Sequence, residues 1–285
     1  KFETGEKIYT ISKTDDLKLL NQHKDGNFIV LNDITSTGTG ASTGSDTEPF
    51  NGHLDFQGYT LTWNTTGSSR LFNCLGGRGI VENLELKYTG VASGRSGVSG
   101  LVYDNYGTVR NIITHVEFKG RFPIYYGGIV YNNRQSGVIE NFAVELPANG
   151  QYVGIGSGGV TRGNEGIVRN GYVYGGSLIT GSGVYGGEMG SRSSNGCITG
   201  SNSGTVYNCF TLSQVQIEEG TSMNTVGLAV GSNSGRVRNV LSVGDIYKYG
   251  FEDYKQTDLE PFTLYGGTVG YGAGIVQDTY ILSER

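Results

Sequence analysis

Short runs of alternating apolar and polar residues recur along this chain, separated by glycine and asparagine. Seven runs share a Gly-x-apolar-x-Asn motif, with Asp replacing Asn in the last copy. The motifs begin at Gly79, Gly107, Gly137, Gly166, Gly204, Gly235 and Gly274. Their spacing lies between 28 residues (79 to 107) and 39 residues (235 to 274). Alternation with a period of two predicts strands, and a recurring period near thirty residues predicts a stack of repeats.

Each repeat contains three such runs. One run precedes the motif and ends in asparagine, as at residues 101–105, and another follows the motif, as at residues 142–146. Three short strands without an intervening helix are typical of one coil of a parallel β-helix, whereas a propeller blade needs four strands and a leucine-rich repeat needs regular leucines. We therefore predict an all-β, right-handed parallel β-helix of about seven repeats over residues 67–285.

Residues 1–66 differ from the repeats and are predicted to form an N-terminal cap and entry coil. A helix is predicted near residues 14–22, with Thr14 accepting hydrogen bonds from its first turn. Leu17 and Leu20 lie on one face of this helix. Because a parallel stack leaves sheet edges open at its ends, the helix is expected to cap one of them.

The motif asparagines are predicted to turn sharp corners, since Asn tolerates the left-handed backbone conformation. Stacked on adjacent coils, they should form a hydrogen-bonded ladder of Asn83, Asn111, Asn141, Asn170, Asn208 and Asn239, completed by Asp278. A second ladder is predicted at Asn105, Asn133, Asn164, Asn202 and Asn233. We interpret both ladders as structural, because they recur from coil to coil. The residues before the first four motif asparagines, Glu82, Arg110, Glu140 and Arg169, alternate in charge, which supports this register.

A further column is predicted to face outward, two residues after each motif asparagine. It comprises Glu85, Ile113, Ala143, Tyr172, Phe210, Leu241 and Tyr280. A mostly apolar outer stripe indicates a surface covered by the chain's own insertions, by another domain, or by a partner.

Two long insertions stretch the repeat, at residues 175–196 and 245–262. The second is rich in aromatic and acidic residues, which suit sugar stacking or protein docking and equally suit folding back onto the apolar column. The candidate binding residues are Tyr172, Phe210, Tyr280, Tyr247, Phe251 and Asp253.

Composition narrows the function classes. A net charge of −5 with no basic stripe argues against nucleic acid as a partner. No apolar run reaches the roughly 18 residues that a membrane span needs, so no membrane insertion is expected. The three cysteines make no disulfide framework and are interpreted as buried thiols. The chain does not begin with Met and shows no signal peptide, so we expect a segment of a larger protein.

The search for catalytic motifs is mostly negative. The histidines form no His-Glu-x-x-His motif, and no Cys-x-x-Cys is present. No catalytic or metal-binding residue is therefore predicted. Because some polysaccharide lyases and hydrolases are β-helices with carboxylates on their outer face, that class stays open. The candidate carboxylates are Asp104, Glu140, Glu145 and Asp253, although they form no compact cluster in the sequence.

The motif-bearing repeats resemble the glycine-rich GLUG repeats of bacterial surface proteins. A more specific resemblance is carried by residues 9–12, 16–17, 26–34, 50–58, 71–72 and 79–84. These segments resemble the N-terminal region of the IgA1-specific zinc metallopeptidase family of Gram-positive cocci. The resemblance covers nearly the whole chain.

In that family the zinc ligands lie on a His-Glu-x-x-His helix in a later domain, and no such motif occurs here. The resemblance implies a non-catalytic region, without a cofactor of its own, of a secreted or cell-wall-attached zinc peptidase. The implied partners are other domains of the parent protein, and host immunoglobulin or glycan. The alternative is a surface adhesin or glycan-binding β-helix. A zinc-binding helix encoded downstream of Arg285 would distinguish the two.

Overall fold

The computed structural model describes residues 7–37, 42–65, 70–91, 97–119, 125–153, 156–180, 193–218, 224–249 and 264–282. Over these ranges the chain is mostly β-strand with one short helical segment, and the strands form three sheets. Every strand pair in this part of the chain is parallel. The all-β prediction is confirmed.

Sheet 1 is the largest, with 14 strands. Its main path runs through β1 (Ile8–Ile11), β2 (Asn27–Val30), β4 (His53–Asp55), β7 (Ile80–Val91), β10 (Thr108–Lys119), β13 (Val138–Leu146), β17 (Ile167–Thr180), β20 (Thr205–Glu218), β23 (Arg236–Val243) and β27 (Ile275–Leu282). Four shorter strands pair beside this path: β3 (Ile34–Ser36), β5 (Thr60–Thr65), β14 (Gln151–Val153) and β24 (Ile246–Tyr249).

Two smaller sheets take one short strand from each repeat. Sheet 2 contains β6 (Phe72–Leu75), β9 (Val102–Asn105), β12 (Val130–Asn133), β16 (Thr161–Asn164), β19 (Thr199–Asn202), β22 (Val230–Asn233) and β26 (Val269–Tyr271). Sheet 3 contains β8 (Gly97–Ser99), β11 (Tyr125–Gly127), β15 (Ser157–Gly158), β18 (Ser193–Gly196), β21 (Asn224–Gly227) and β25 (Leu264–Gly266).

The repeats pair in register. Val109 of β10 lies between Val81 of β7 and Ile139 of β13, its counterparts in the neighbouring repeats. These apolar positions are fully buried, as are the equivalent Val168, Val206 and Val237. A column of branched aliphatic side chains therefore runs through the core from repeat to repeat.

The glycine that opens each motif is required by close packing between repeats. A Cβ added to Gly204 would lie 2.1 Å from the carbonyl oxygen of Gly166, and one added to Gly235 would lie 2.1 Å from that of Gly204. No side chain fits at such a distance, so glycine lets the chain of one repeat lie directly against the next.

The motif asparagines all have positive φ, between 49° at Asn239 and 58° at Asn83, and Asp278 shares this conformation. Their side chains connect the repeats. Asn111 donates to Asn83 over 2.8 Å, and Asn239 donates to Asn208 over 2.7 Å. Each hydrogen bond thus links a corner of one repeat to the corner of the preceding repeat.

The second asparagine column is buried and runs in the opposite sense. Asn105 donates to Asn133, Asn133 to Asn164, Asn164 to Asn202 and Asn202 to Asn233, over 2.7–2.8 Å. Because these amides are shielded from water, each depends on its neighbours for hydrogen bonding.

The helical segment begins with a 3₁₀ turn, Thr14–Leu17, and continues as helix α1, Lys18–Gln22. Leu20 is buried in the core and Leu17 packs against it. The predicted cap at Thr14 is wrong, because its hydroxyl donates to the carbonyl of Thr35. The N-cap residue is Lys13, and the Asp16 carboxylate reaches back to accept hydrogen bonds from the backbone amides of residues 12 and 13.

Candidate functional site

The residues two positions after the motif asparagines form one column across sheet 1, here called the outer column. It comprises Glu85, Ile113, Ala143, Tyr172, Phe210, Leu241 and Tyr280. The residues on either side of Ile113, Ile112 and Thr114, are buried, whereas Ile113 is 48% exposed. Tyr280 is 64% exposed. The column therefore faces away from the core, as strand alternation requires.

Aromatic rings stack in the middle of this column. Tyr172 of β17 and Phe210 of β20 are register partners, with ring centroids 4.7 Å apart and planes 4° from parallel. Tyr174 lies beside Tyr172 at 5.5 Å with a 45° tilt. All three side chains are half-buried. This aromatic group (Tyr172, Tyr174 and Phe210) stabilises its own strands and also presents apolar ring surface outside the core.

A polar cluster lies next to it, on β7, β10 and β13. His115 is the register partner of both Lys87 and Glu145. Its Nδ1 atom contacts Glu145 Oε2, and its Nε2 atom lies 3.4 Å from Glu85 Oε1. Lys87 Nζ lies 3.1 Å from the same Glu85 oxygen. We call these four residues the histidine cluster.

Hydrogen bonds within the cluster favour the ionised form of Glu85. Burial opposes ionisation of Glu85, but hydrogen bonds from Lys87 and Thr60 outweigh it and lower the pKa of Glu85. Burial, reinforced by the Glu145 carboxylate, raises the pKa of Tyr174. Both nitrogens of His115 face carboxylates, so Glu85 and Glu145 together fix the orientation of the imidazole ring.

A groove of about 360 Å³ adjoins this cluster. It is lined by Lys87, Tyr88, Thr89, His115, Glu117, Glu145, Leu146, Pro147, Ala148 and Asn149. Ammonium, imidazole and carboxylate groups line one part, whereas leucine, proline and alanine line another. The groove thus offers hydrogen-bond donors, acceptors and an apolar flank together.

Of the three candidate carboxylates that lie within the described residues, only Glu145 borders this groove. Asp104 accepts hydrogen bonds from Arg134 Nε at 2.7 Å and Asn132 Nδ2 at 2.9 Å. Glu140 accepts one from Arg169 Nε at 2.7 Å. The structure gives these two carboxylates structural partners, and Asp253 lies outside the described residues.

The remaining candidate binding residues are separated. Tyr280 lies in β27, with Leu241 of β23 between it and Phe210. Tyr247 lies in β24, opposite Gln216 of β20. Phe251, like Asp253, falls outside the described residues.

The other two histidines have local partners. His23 stacks on Tyr9 with centroids 4.3 Å apart, and His53 Nε2 lies 2.6 Å from Glu82 Oε1. Within the described ranges, no group of three or more His, Cys, Asp or Glu side chains is arranged to hold a metal ion. Burial raises the pKa of the Cys197 and Cys209 thiols to about 12, so they are not reactive thiolates at neutral pH.

Sequence reasoning missed the histidine cluster, although a signal was present. Lys87, His115 and Glu145 each follow their motif asparagine by four residues, in three consecutive repeats. Reading that offset as a column would have placed an ammonium, an imidazole and a carboxylate side by side.

Helices in the described part of the chain are all too short and polar to cross a bilayer. No protein-family model matches the chain, and no curated protein matches it.

The fold has a solved counterpart. The chain resembles the crystal structure of a putative immunoglobulin A1 protease from Bacteroides ovatus. The TM-score is 0.58 at 16% sequence identity, over 95% of this chain and 84% of the other. At this identity the likeness shows a shared fold.

Proposed function

We propose that this chain is a right-handed parallel β-helix and a non-catalytic region of a secreted, cell-wall-associated zinc metallopeptidase of the IgA1-protease type. The three parallel sheets, each built from strands that successive repeats contribute, support the β-helix. Parallel crossovers are right-handed in about 98% of cases, which favours that hand. The fold of the Bacteroides ovatus protein supports the protease context, and the GLUG-type repeats support the link to Gram-positive surface proteins.

In this proposal the β-helix acts as a scaffold, and one of its outer faces binds a partner. The main observation in favour of a binding face is the aromatic group on the outer side of sheet 1. Its rings stack on one another and are half-buried, and they are not enclosed in the core. A purely solvated wall would carry threonine, lysine or glutamate at these positions. Other domains of the parent protein, or host immunoglobulin, are the proposed occupants, and Tyr172, Phe210 and Tyr280 are the proposed contacts.

Zinc belongs to the parent protein in this proposal, on a helix outside the present sequence. The test is metal analysis of the purified chain together with incubation with IgA1. We expect no stoichiometric zinc and no cleavage, whereas the same IgA1 should be retained on the immobilised chain. Stoichiometric zinc with proteolysis would contradict the non-catalytic role, and absence of IgA1 retention would limit the binding face to the parent's own domains.

A surface adhesin or glycan-binding β-helix is the second candidate. The groove beside the histidine cluster favours it, because donors, acceptors and an apolar flank occur together there. The gene that encodes the parent protein distinguishes the two candidates. A His-Glu-x-x-His helix encoded downstream supports the peptidase, and its absence supports the adhesin. A polysaccharide-cleaving enzyme has less support, because Asp104 and Glu140 are paired with arginines.

A further inference from the structure

We propose that the groove beside the histidine cluster binds an uncharged oligosaccharide, and that the aromatic group extends this site across sheet 1. The inference rests on the cavity and its lining, so it holds whether the parent protein is a peptidase or an adhesin.

The groove has the size and composition of a ligand site. Its volume of about 360 Å³ lies at the small end of the range for ligand pockets, about 300–1,000 Å³. Lys87 and Glu117 are exposed at the surface, and Glu145 is half-exposed. These groups can therefore contact a ligand without a change in the fold.

Recognition in the groove must come through side chains. The main chains of β7, β10 and β13 pair with one another from residue 108 to residue 115 of β10. Their hydrogen-bonding groups are consumed by the sheet, so an added peptide strand would find no partner along this stretch. A ligand that reads side-chain donors and acceptors fits better than one that reads the backbone.

The charges in the groove favour an uncharged ligand. Lys87 and Glu85 pair with each other, and His115 lies between Glu85 and Glu145. A cationic ligand in the groove would be repelled by Lys87, and an anionic ligand would be repelled by Glu117 and Glu145. Sugar hydroxyls avoid both conflicts, because each can donate to a carboxylate and accept from an ammonium group.

The apolar surfaces suit the carbon-bound hydrogens of a sugar ring. Pro147 and Ala148 flank the groove on the turn after β13. On the neighbouring strand, Tyr174 is the register partner of Glu145. Tyr174 contacts Tyr172, and Tyr172 stacks on Phe210. From β10 to β20 this path crosses three strand spacings, roughly 14 Å at about 4.8 Å each. We infer that a linear glycan lies across the strands, along the stack of repeats.

The experiment uses the 285-residue chain and titration calorimetry with millimolar cellohexaose, xylohexaose, mannohexaose and N-acetylchitohexaose. Hexagalacturonate and hexalysine serve as charged comparators. We expect saturable binding of at least one neutral hexaose, and weaker or no binding of both comparators.

Variants locate the site. Ala148→Trp fills the groove from an exposed turn and should weaken binding by about tenfold or more, whereas Ala148→Ser should bind as the parent chain does. Tyr172→Ala should weaken binding several-fold. Tyr106→Ala, which removes an exposed ring at the turn before β10, should not change it. Thermal melts of each variant show whether it is folded.

Three outcomes overturn the proposal. One is that none of the neutral hexaoses binds. Another is binding that is unaffected by Ala148→Trp, which would place the sugar elsewhere. The third is tight hexalysine binding that Ala148→Trp abolishes, which would make the groove a site for basic peptides. None of these outcomes bears on zinc content or IgA1 cleavage, so failure here is distinct from failure of the peptidase proposal.

Discussion

At the residue scale, asparagine has two tasks in this protein. The motif asparagines adopt positive φ at corners and lie near the surface. The second column lies in the interior, where each amide both donates to and accepts from its neighbours. A position at a corner depends mainly on backbone conformation, whereas a position in the interior depends on an unbroken chain of hydrogen bonds.

Substitution separates these tasks. Asn164→Ala should lower the free energy of unfolding by about 1–3 kcal/mol, because it removes the hydrogen-bond partner that Asn164 provides to the buried amides of Asn133 and Asn202.

At the corner, Asn111→Gly should lower the free energy of unfolding less than Asn111→Ala does, since glycine adopts a φ of 56° without strain. Urea unfolding of the three variants checks this order. Equal losses for Asn164→Ala and Asn111→Gly would contradict it.

Glu82 should make the protein sensitive to acid. It is 6% exposed, and burial opposes its ionisation, but hydrogen bonds from Arg110 and His53 outweigh burial and lower its pKa from the ordinary value of 4.5. A lowered folded pKa means that the stabilisation is complete above pH 4.5 and is lost as the pH falls below it.

Denaturant unfolding of Glu82→Gln from pH 7 to pH 3 tests this. The variant should be less stable than the parent chain at pH 7, and the gap should narrow below pH 4.5. Glu117→Gln, at an exposed position, is the control and should follow the parent chain throughout. A gap for Glu82→Gln that stays constant over this range would show that Glu82 acts through packing alone.

At the element scale, strand register decides which side chains meet. A shift of one residue would turn the outer column into the core. The pairing of Tyr172 with both Ala143 and Phe210 sets the actual register and brings the aromatic rings together outside. Function at this scale therefore depends on columns of residues across strands and not on local motifs.

The orientation of the outer column is testable by charge. Tyr172→Lys and Phe210→Glu should leave the chain folded, with melting temperatures within a few degrees of the parent, because neither side chain lies in the core. Both should weaken retention of the proposed partner. The matched interior change, Val173→Lys, places a charge at a fully buried neighbour and should unfold the protein. Unfolding by Tyr172→Lys as well would show that this ring is part of the core.

The sequence predicted much of this architecture because its strongest signals are obligatory. The motif positions at the start of each repeat require glycine because a Cβ there would collide with the neighbouring backbone, at 2.1 Å from a carbonyl oxygen in the case of Gly204. The corner positions favour asparagine because their φ is positive. The prediction of a cap at Thr14 is wrong because the helical segment already includes Thr14, with Lys13 as its N-cap, and the Thr14 hydroxyl donates to the carbonyl of Thr35. The histidine cluster was missed because its members are ordinary residues one at a time, and their significance arises from contacts about thirty residues apart in the sequence.

At the scale of the whole molecule, equivalent residues of successive repeats differ in how much of their side chain is exposed. Val206 and Val237 are fully buried between repeats, whereas Val276, their counterpart in β27, is 44% exposed. Ser242 is likewise fully buried, and its register partner Ile281 is 49% exposed. In the described residues, β25, β26 and β27 are the last strands of their sheets. These two β27 positions are therefore less buried than their counterparts in repeats that pair on both sides, as nearest-neighbour stabilisation of a repeat stack predicts.

A matched pair of substitutions measures this dependence. Val206→Ala removes two buried carbons that contact both adjacent repeats and should cost about 2 kcal/mol or more, from transfer and from the cavity left behind. Val276→Ala makes the same chemical change where the side chain is already partly in water, so it should cost clearly less than half as much. Calorimetric or urea unfolding of both variants gives the two values. If Val276→Ala proved as costly as Val206→Ala, the β27 edge would have to be covered as fully as the interior repeats, and the stack would not thin toward that end.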